Sequence, residues 1–171
     1  MPRTDLQKLG DLGEDFALKS LNIKGCMNCN HSRGRIKKLV GSFAAVDLIC
    51  EFCFQAYQVK TTAQIETNSL PNTIRGAQYP PLEDRKSAGL YHPLVIVLLK
   101  KGRGGPCGLT RQWRKTATIW YLSAKFVKHH FDELFRPYHT TIKQGKEKGR
   151  QLIMNTIILS DEIKADFVEI V

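Results

Sequence analysis

The chain contains no apolar run near the ~20 residues a bilayer span needs. Its opening, MPRTDLQKLG, lacks the apolar stretch of a secretory leader. Membrane-spanning and secreted classes are therefore not expected, and a cytoplasmic location is. Internal repeats and low-complexity tracts are also missing, which excludes collagen-like, coiled-coil and disordered organisation. Negative charge is scarce: 16 acidic residues stand against 26 lysines and arginines, for a net charge of +10. The scarcity is local. Residues 100–150 hold 13 basic and three acidic side chains, and the rest of the chain balances at 13 of each sign. Such a field suits a polyanion, because neutralising phosphates supplies most non-specific nucleic-acid affinity. The plainer alternative is a solvated surface kept for solubility. What is present, 171 residues of which 42% are hydrophobic and 25% charged, fits a single globular domain over 1–171.

Five cysteines carry the sharpest signal. Cys26-Met-Asn-Cys29 and Cys50-Glu-Phe-Cys53 are two C-x2-C pairs separated by 20 residues, the spacing of a four-thiolate zinc site. Each pair presents two sulfurs from one tight knuckle, and zinc closes a tetrahedron with four of them. A zinc-binding element over 26–53 is therefore expected, with Cys26, Cys29, Cys50 and Cys53 as ligands. Free thiols or a redox pair are the alternatives, since disulfides are disfavoured in a reducing compartment. Cys107, in a glycine-rich stretch, has no expected role.

Apolar spacing predicts an amphipathic helix over 5–22 through Leu9, Leu12, Phe16 and Ala17. Strands are expected over 42–49 and 54–61, with the second knuckle replacing the turn between them. From 63 to 93 the chain reads as irregular, with one short helix over 82–88. Leu94–Leu99 is a continuous apolar run bounded by Pro93 and Lys100, the pattern of a strand buried on both faces. A strand over 118–122, a helix from Ser123 to about Phe135, a basic loop over 140–150 and a last strand over 152–159 complete the reading. The fold class is α/β: a mixed central sheet with helices on both faces.

Asp47 demands an explanation, because Ala44, Ala45, Val46, Leu48 and Ile49 around it are all apolar and a carboxylate there incurs a desolvation cost unless something binds it. Folding the two strands about the knuckle brings Asp47 opposite Tyr57–Gln58. Gln58 and Lys60, two residues apart, share one face. One carboxylate, one amide and one ammonium on adjacent strands can hold Mg2+ through oxygen ligands and set an ammonium beside a phosphodiester. A buried Asp47–Lys60 ion pair, with Gln58 serving a backbone group, is the structural alternative.

Asp47…Gln58-Val59-Lys60 resembles the D…(D/E/Q)-x-K signature of the PD-(D/E)XK nuclease superfamily. Gly13-Glu14-x-Phe16-Ala17-x-x-x-Leu21 is similar to the first helix of many members, whose Glu helps bind the metal. The order Cys26, Cys29, Asp47, Cys50, Cys53, Gln58, Lys60 resembles the catalytic domain of DpnI-like restriction endonucleases, including dam-replacing proteins. Looser likenesses are Trp120–Val127 and Gly149–Ile157. The resemblance implies a restriction-endonuclease-like core with an embedded zinc site. It also implies catalytic roles for Asp47, Gln58, Lys60 and Glu14, with Mg2+ on Asp47 and Gln58. Two departures stand out. Gln58 replaces the family's Glu and removes a negative charge from the metal site. With no room after Val171, the additional winged-helix domain that such enzymes can carry is not expected, so specificity is expected to rest on the nuclease domain, a partner or a second copy.

The expectation is a metal-dependent endonuclease of restriction type acting on double-stranded DNA, with a methylated target as one form of it. Arg33, Arg35, Arg111, Gln112, Arg114 and Lys115 are candidate DNA contacts. A homodimer or a partner subunit is admitted, and no membrane is. The alternatives are a non-catalytic zinc-containing nucleic-acid-binding protein or a subunit of a larger defence complex.

Overall fold

A computed structural model describes residues 5–30, 35–39, 46–64, 68–78, 80–100, 117–141 and 149–170. Helix α1 (Asp5–Lys24) is followed by strands β1 (Ile36–Lys38), β2 (Leu48–Cys50), β3 (Ala56–Gln64) and β4 (Thr73–Gln78). Helix α2 (Pro80–Ser87), strands β5 (Leu94–Lys100) and β6 (Ala117–Leu122) and helices α3 (Ala124–His129) and α4 (Phe131–Leu134) come next. Strands β7 (Phe135–Thr141) and β8 (Gln151–Ile158), helix α5 (Asp161–Ala165) and strand β9 (Val168–Glu169) close the chain. The strands form a six-stranded sheet, β1-β2-β3-β5-β6-β9, and a three-stranded sheet, β4-β8-β7. In the larger sheet β3 and β5 run parallel and the other pairs antiparallel, so it is mixed. No helix among the described residues is long and apolar enough to cross a membrane.

The central strand explains the layering. All six residues Leu94–Leu99 are buried, and they alternate between two cores. Val95, Val97 and Leu99 join Ala17 and Leu21 of α1 on one face; Leu94, Ile96 and Leu98 join Leu82, Val127, Phe131, Leu134 and Ile157 on the other. A strand apolar on both sides is what two covered faces require. Ser123 and Ser160 start α3 and α5 as N-caps, each accepting a backbone N–H three residues on. The helix expected over 123–135 is broken at His130. Its Nε2 lies 2.9 Å from Asp166 Oδ2, tying the α3–α4 turn to the end of α5.

Four strands depart from the sequence reading: β1 and β9 were not expected, and two more fall where other structure was read. β4 lies in the stretch read as irregular, and β7 begins at Phe135, where a helix was expected. Pro137 lies in β7, an edge strand of its sheet, where a missing N–H costs no ladder bond. The strand expected over 42–49 is described only from 46 onward, with β2 starting at Leu48, so Asp47 stands at a strand's entrance rather than its middle.

Helix α1 lies against β3 at one very close approach. A Cβ on Gly13 would fall 1.7 Å from Thr61 Oγ1 and 2.6 Å from Thr61 Cβ, so no rotation of Thr61 makes room. Gly13→Ala is therefore expected to destabilise by about 1–3 kcal/mol despite alanine's better helix propensity. Thr61→Ala added to it should recover only part, since the Cβ clash stays. Urea unfolding of the three variants measures both effects.

Candidate metal centre and adjoining cleft

Helix α1 ends at Gly25, whose positive φ of 100° and N–H bond to Leu21 C=O (2.8 Å) make a C-terminal cap that turns the chain into the first knuckle. The two knuckles repeat one geometry. Asn30 N–H donates to Cys26 C=O and Phe54 N–H to Cys50 C=O, each at 2.9 Å. Asn30 and Phe54, the residues after each second cysteine, both have positive φ, 50° and 58°. The four sulfurs all lie within 4.8 Å of one another, with Cys26–Cys53 at 3.6 Å and Cys29–Cys50 at 4.0 Å, and none is in a disulfide. Tetrahedral zinc with ~2.3 Å bonds sets sulfurs about 3.8 Å apart, so this set can hold one such ion. Tyr57 Oη lies 2.9 Å from Cys26 Sγ. Burial alone would raise the Cys26 thiol, but hydrogen bonds from Tyr57 and from the backbone of Cys29 and Asn28 outweigh it and bring its pKa down to about 6. Burial and the neighbouring Cys26 push the Tyr57 phenol upward, so it stays protonated and donates. The thiolate needed by a metal is thus favoured before any metal binds.

The clamp fixes the β2–β3 hairpin. Leu48 pairs with Tyr57 and Ile49 with Ala56, which sets Asp47 opposite Gln58. Asp47 N–H donates to Tyr57 C=O at 2.9 Å, while Asp47 C=O turns away and accepts from Leu39 N–H at 3.0 Å. β2 therefore leaves β3 one acceptor short, and the Asp47 carboxylate fills the gap: Val59 N–H donates to its Oδ2 at 2.6 Å. The carboxylate thus lies against the backbone of Val59, the residue between Gln58 and Lys60. An Asp47–Lys60 ion pair, the structural alternative, is not made; Lys60 has no hydrogen bond or ion pair with any described residue. Desolvation lowers the Lys60 pKa, against the pull of Asp47 and Glu14.

Gln58 is buried, at 3% exposure, and its Nε2 has no partner. It faces a cavity of about 10 Å³, the room one water needs, shared with Arg85, Tyr91 and His92. Arg85 and His92 escaped the sequence reading. Burial lowers the pKa of both, Asp47 partly restoring Arg85 and Arg85 further lowering His92. No spacing rule joins them to Asp47, because the fold brings them from the end of α2 and the approach to β5. Glu14 accepts an ion pair from Lys38 Nζ at 2.7 Å, with Asp15 at 3.6 Å. Arg35 is exposed. Arg33, Arg111, Gln112, Arg114, Lys115 and Cys107 lie outside the described residues.

Beyond Val59 the edge of β3 on the β2 side meets no strand among the described residues. A groove of about 570 Å³ runs beside it, between Leu6 and Leu9 of α1, Thr61 and Thr62 of β3, and Arg75, Tyr138 and Thr156 of the smaller sheet. The register Arg75–Thr156–Arg136 places both guanidinium-bearing residues in one row on one face of that sheet. Its three strands contain no acidic residue.

No protein-family model and no curated protein matches this chain.

Two outcomes are expected. Zinc should bind at one ion per chain, and chelation should lower the melting temperature, because ligand thiolates assembled by the fold turn binding energy into folding energy. Lys60→Met should raise stability by about 1 kcal/mol, since it removes an ammonium that is desolvated without an ion pair. A loss of stability in that variant would mean that Lys60 serves the fold.

Proposed function

We propose that this protein is a divalent-metal-dependent DNA endonuclease of restriction type, with a PD-(D/E)XK-like core and a structural zinc ion on Cys26, Cys29, Cys50 and Cys53. The observation that carries the reading is the Asp47 carboxylate held by Val59 N–H between Gln58 and Lys60, beside an acid-free groove that carries Arg75. Asp47 spends one oxygen on Val59, and its other has no hydrogen bond among the described residues. The buried Gln58 amide has one atom without a partner, and a half-turn of the amide chooses which. These donors fit a hard cation in type. Asp47 and Gln58 would hold it, and the ion, when bound, supplies charge stabilisation to the phosphodiester and acidifies a water. Lys60, whose ammonium feels the Asp47 charge without pairing with it, neutralises phosphate charge and orients the attacking water. Thr61, Thr62, Arg75 and Arg136 receive the DNA backbone along the groove.

One observation favours a second reading, a non-catalytic DNA-binding protein: Glu14 is paired with Lys38, which leaves Asp47 as the one carboxylate without an ion pair among the described residues of the site. The decisive experiment incubates methylated and unmethylated plasmids with Mg2+, Mn2+ or EDTA. Nicking or linearisation that EDTA stops and Lys60→Ala abolishes is expected. DNA binding without cleavage under every condition favours the second reading. Arg75→Ala and Arg136→Ala should each weaken binding and reduce the slope of log affinity against log salt by about one, one phosphate contact apiece.

A further inference from the structure

The two knuckles set the same backbone task and answer it differently. After Cys29 the left-handed position is held by Asn30, a residue type that tolerates it; after Cys53 it is held by Phe54, with φ 58°. A bulky aromatic is among the poorer choices there, and the strain lowers stability. Packing does not compensate, because Phe54 is 75% exposed, the most exposed of the large hydrophobic residues described. Phe52, on the same knuckle, is 55% exposed. The metal loop therefore carries an aromatic ring outward at a cost to the fold.

The surroundings indicate what the ring meets. Arg35 abuts the knuckle, its C=O accepting from Glu51 N–H at 2.9 Å. Arg35 is exposed, as is Lys37, which pairs with Ile49 in the adjoining strand; Glu51 is the acidic residue beside them. A bare aromatic ring on a knuckle that adjoins a strand segment with an exposed arginine and an exposed lysine suits a nucleobase with its phosphate: the base stacks and the cations hold the backbone. Three strand steps of ~3.3 Å separate Cys50 from Asp47, so the knuckle stands about three base steps of ~3.4 Å from the carboxylate.

We propose that Phe54 is a base-stacking residue that takes an unpaired nucleobase a few nucleotides from the position facing Asp47, giving the protein a preference for DNA with a gap or splayed base there. The inference rests on the nucleic-acid part of the proposed function and not on catalysis.

The test uses the zinc-loaded full chain and compares wild type with Phe54→Gly, Phe54→Asn and Phe54→Trp. Affinity is measured by fluorescence anisotropy on labelled duplexes with and without a short gap, across a salt series. Phe54→Gly and Phe54→Asn are expected to keep their zinc and to melt at or above the wild-type temperature. They should bind gapped DNA about tenfold more weakly, with the salt slope unchanged because no phosphate contact is lost. Phe54→Trp should retain the gap preference. Unchanged affinity in the Gly and Asn variants would overturn the proposal. So would a fall in melting temperature or zinc content that accompanies the weaker binding, or a wild-type dimer by sedimentation that these variants abolish. If wild type binds gapped DNA and never cuts any, the catalytic reading fails while this one stands. If wild type binds no DNA, both fail. If it cuts and Phe54→Gly binds as wild type does, only the stacking role is lost.

Discussion

Four cysteine sulfurs joining the end of α1 to the β2–β3 turn are the constraint on which the rest of the site depends. The hairpin is short: among the described residues Leu48–Tyr57 and Ile49–Ala56 are the pairs between its strands, too little to fix a register alone. With the knuckles closed, Cys50 and Cys53 are anchored to Cys26 and Cys29, and Asp47 has one place to go, opposite Gln58. The 2.6 Å bond from Val59 N–H to its carboxylate follows from that placement. The Tyr57 phenol links the two centres directly, because the strand that presents Gln58 and Lys60 also donates to the Cys26 sulfur.

The electrostatics of the cleft lean positive. Lys60 and Arg85 are close enough to Asp47 for its charge to oppose their desolvation, while Glu14 is engaged by Lys38. Gln58 adds a dipole where a further carboxylate would add charge. A site of this kind binds an isolated cation weakly and a cation together with a phosphate better, since the phosphate supplies the missing negative charge. On the proposed function, the groove beside β3, with Arg75 on its wall and no acidic residue in the strands of the smaller sheet, would deliver that phosphate along the strand edge.

Much of this was legible in the sequence because it rests on short-range rules. Cysteine spacing announced the knuckles, the unbroken run Leu94–Leu99 announced the central strand, and period-two geometry put Gln58 and Lys60 on one face. What escaped depends on distant partners. Arg85 and His92 enter the site through the packing of α2 and the lead into β5. Pro137 masked β7, because a proline reads as a break until the strand is known to be an edge. The helix expected over 123–135 is two helices, since His130 gives up helical continuity for a bond to Asp166, 36 residues away. The Lys38–Glu14 pair joins a three-residue strand to a helix face and has no sequence signature.

The account stands on metal-enforced seating of Asp47 against β3, and amide hydrogen exchange at Val59 reports on it directly. The Val59 N–H should be strongly protected in zinc-loaded protein and should lose that protection on chelation to at least the same extent as the β5 amides. Asp47→Asn should reduce it with zinc still in place. A Val59 amide equally protected with and without the metal, or indifferent to Asp47→Asn, would contradict the central claim.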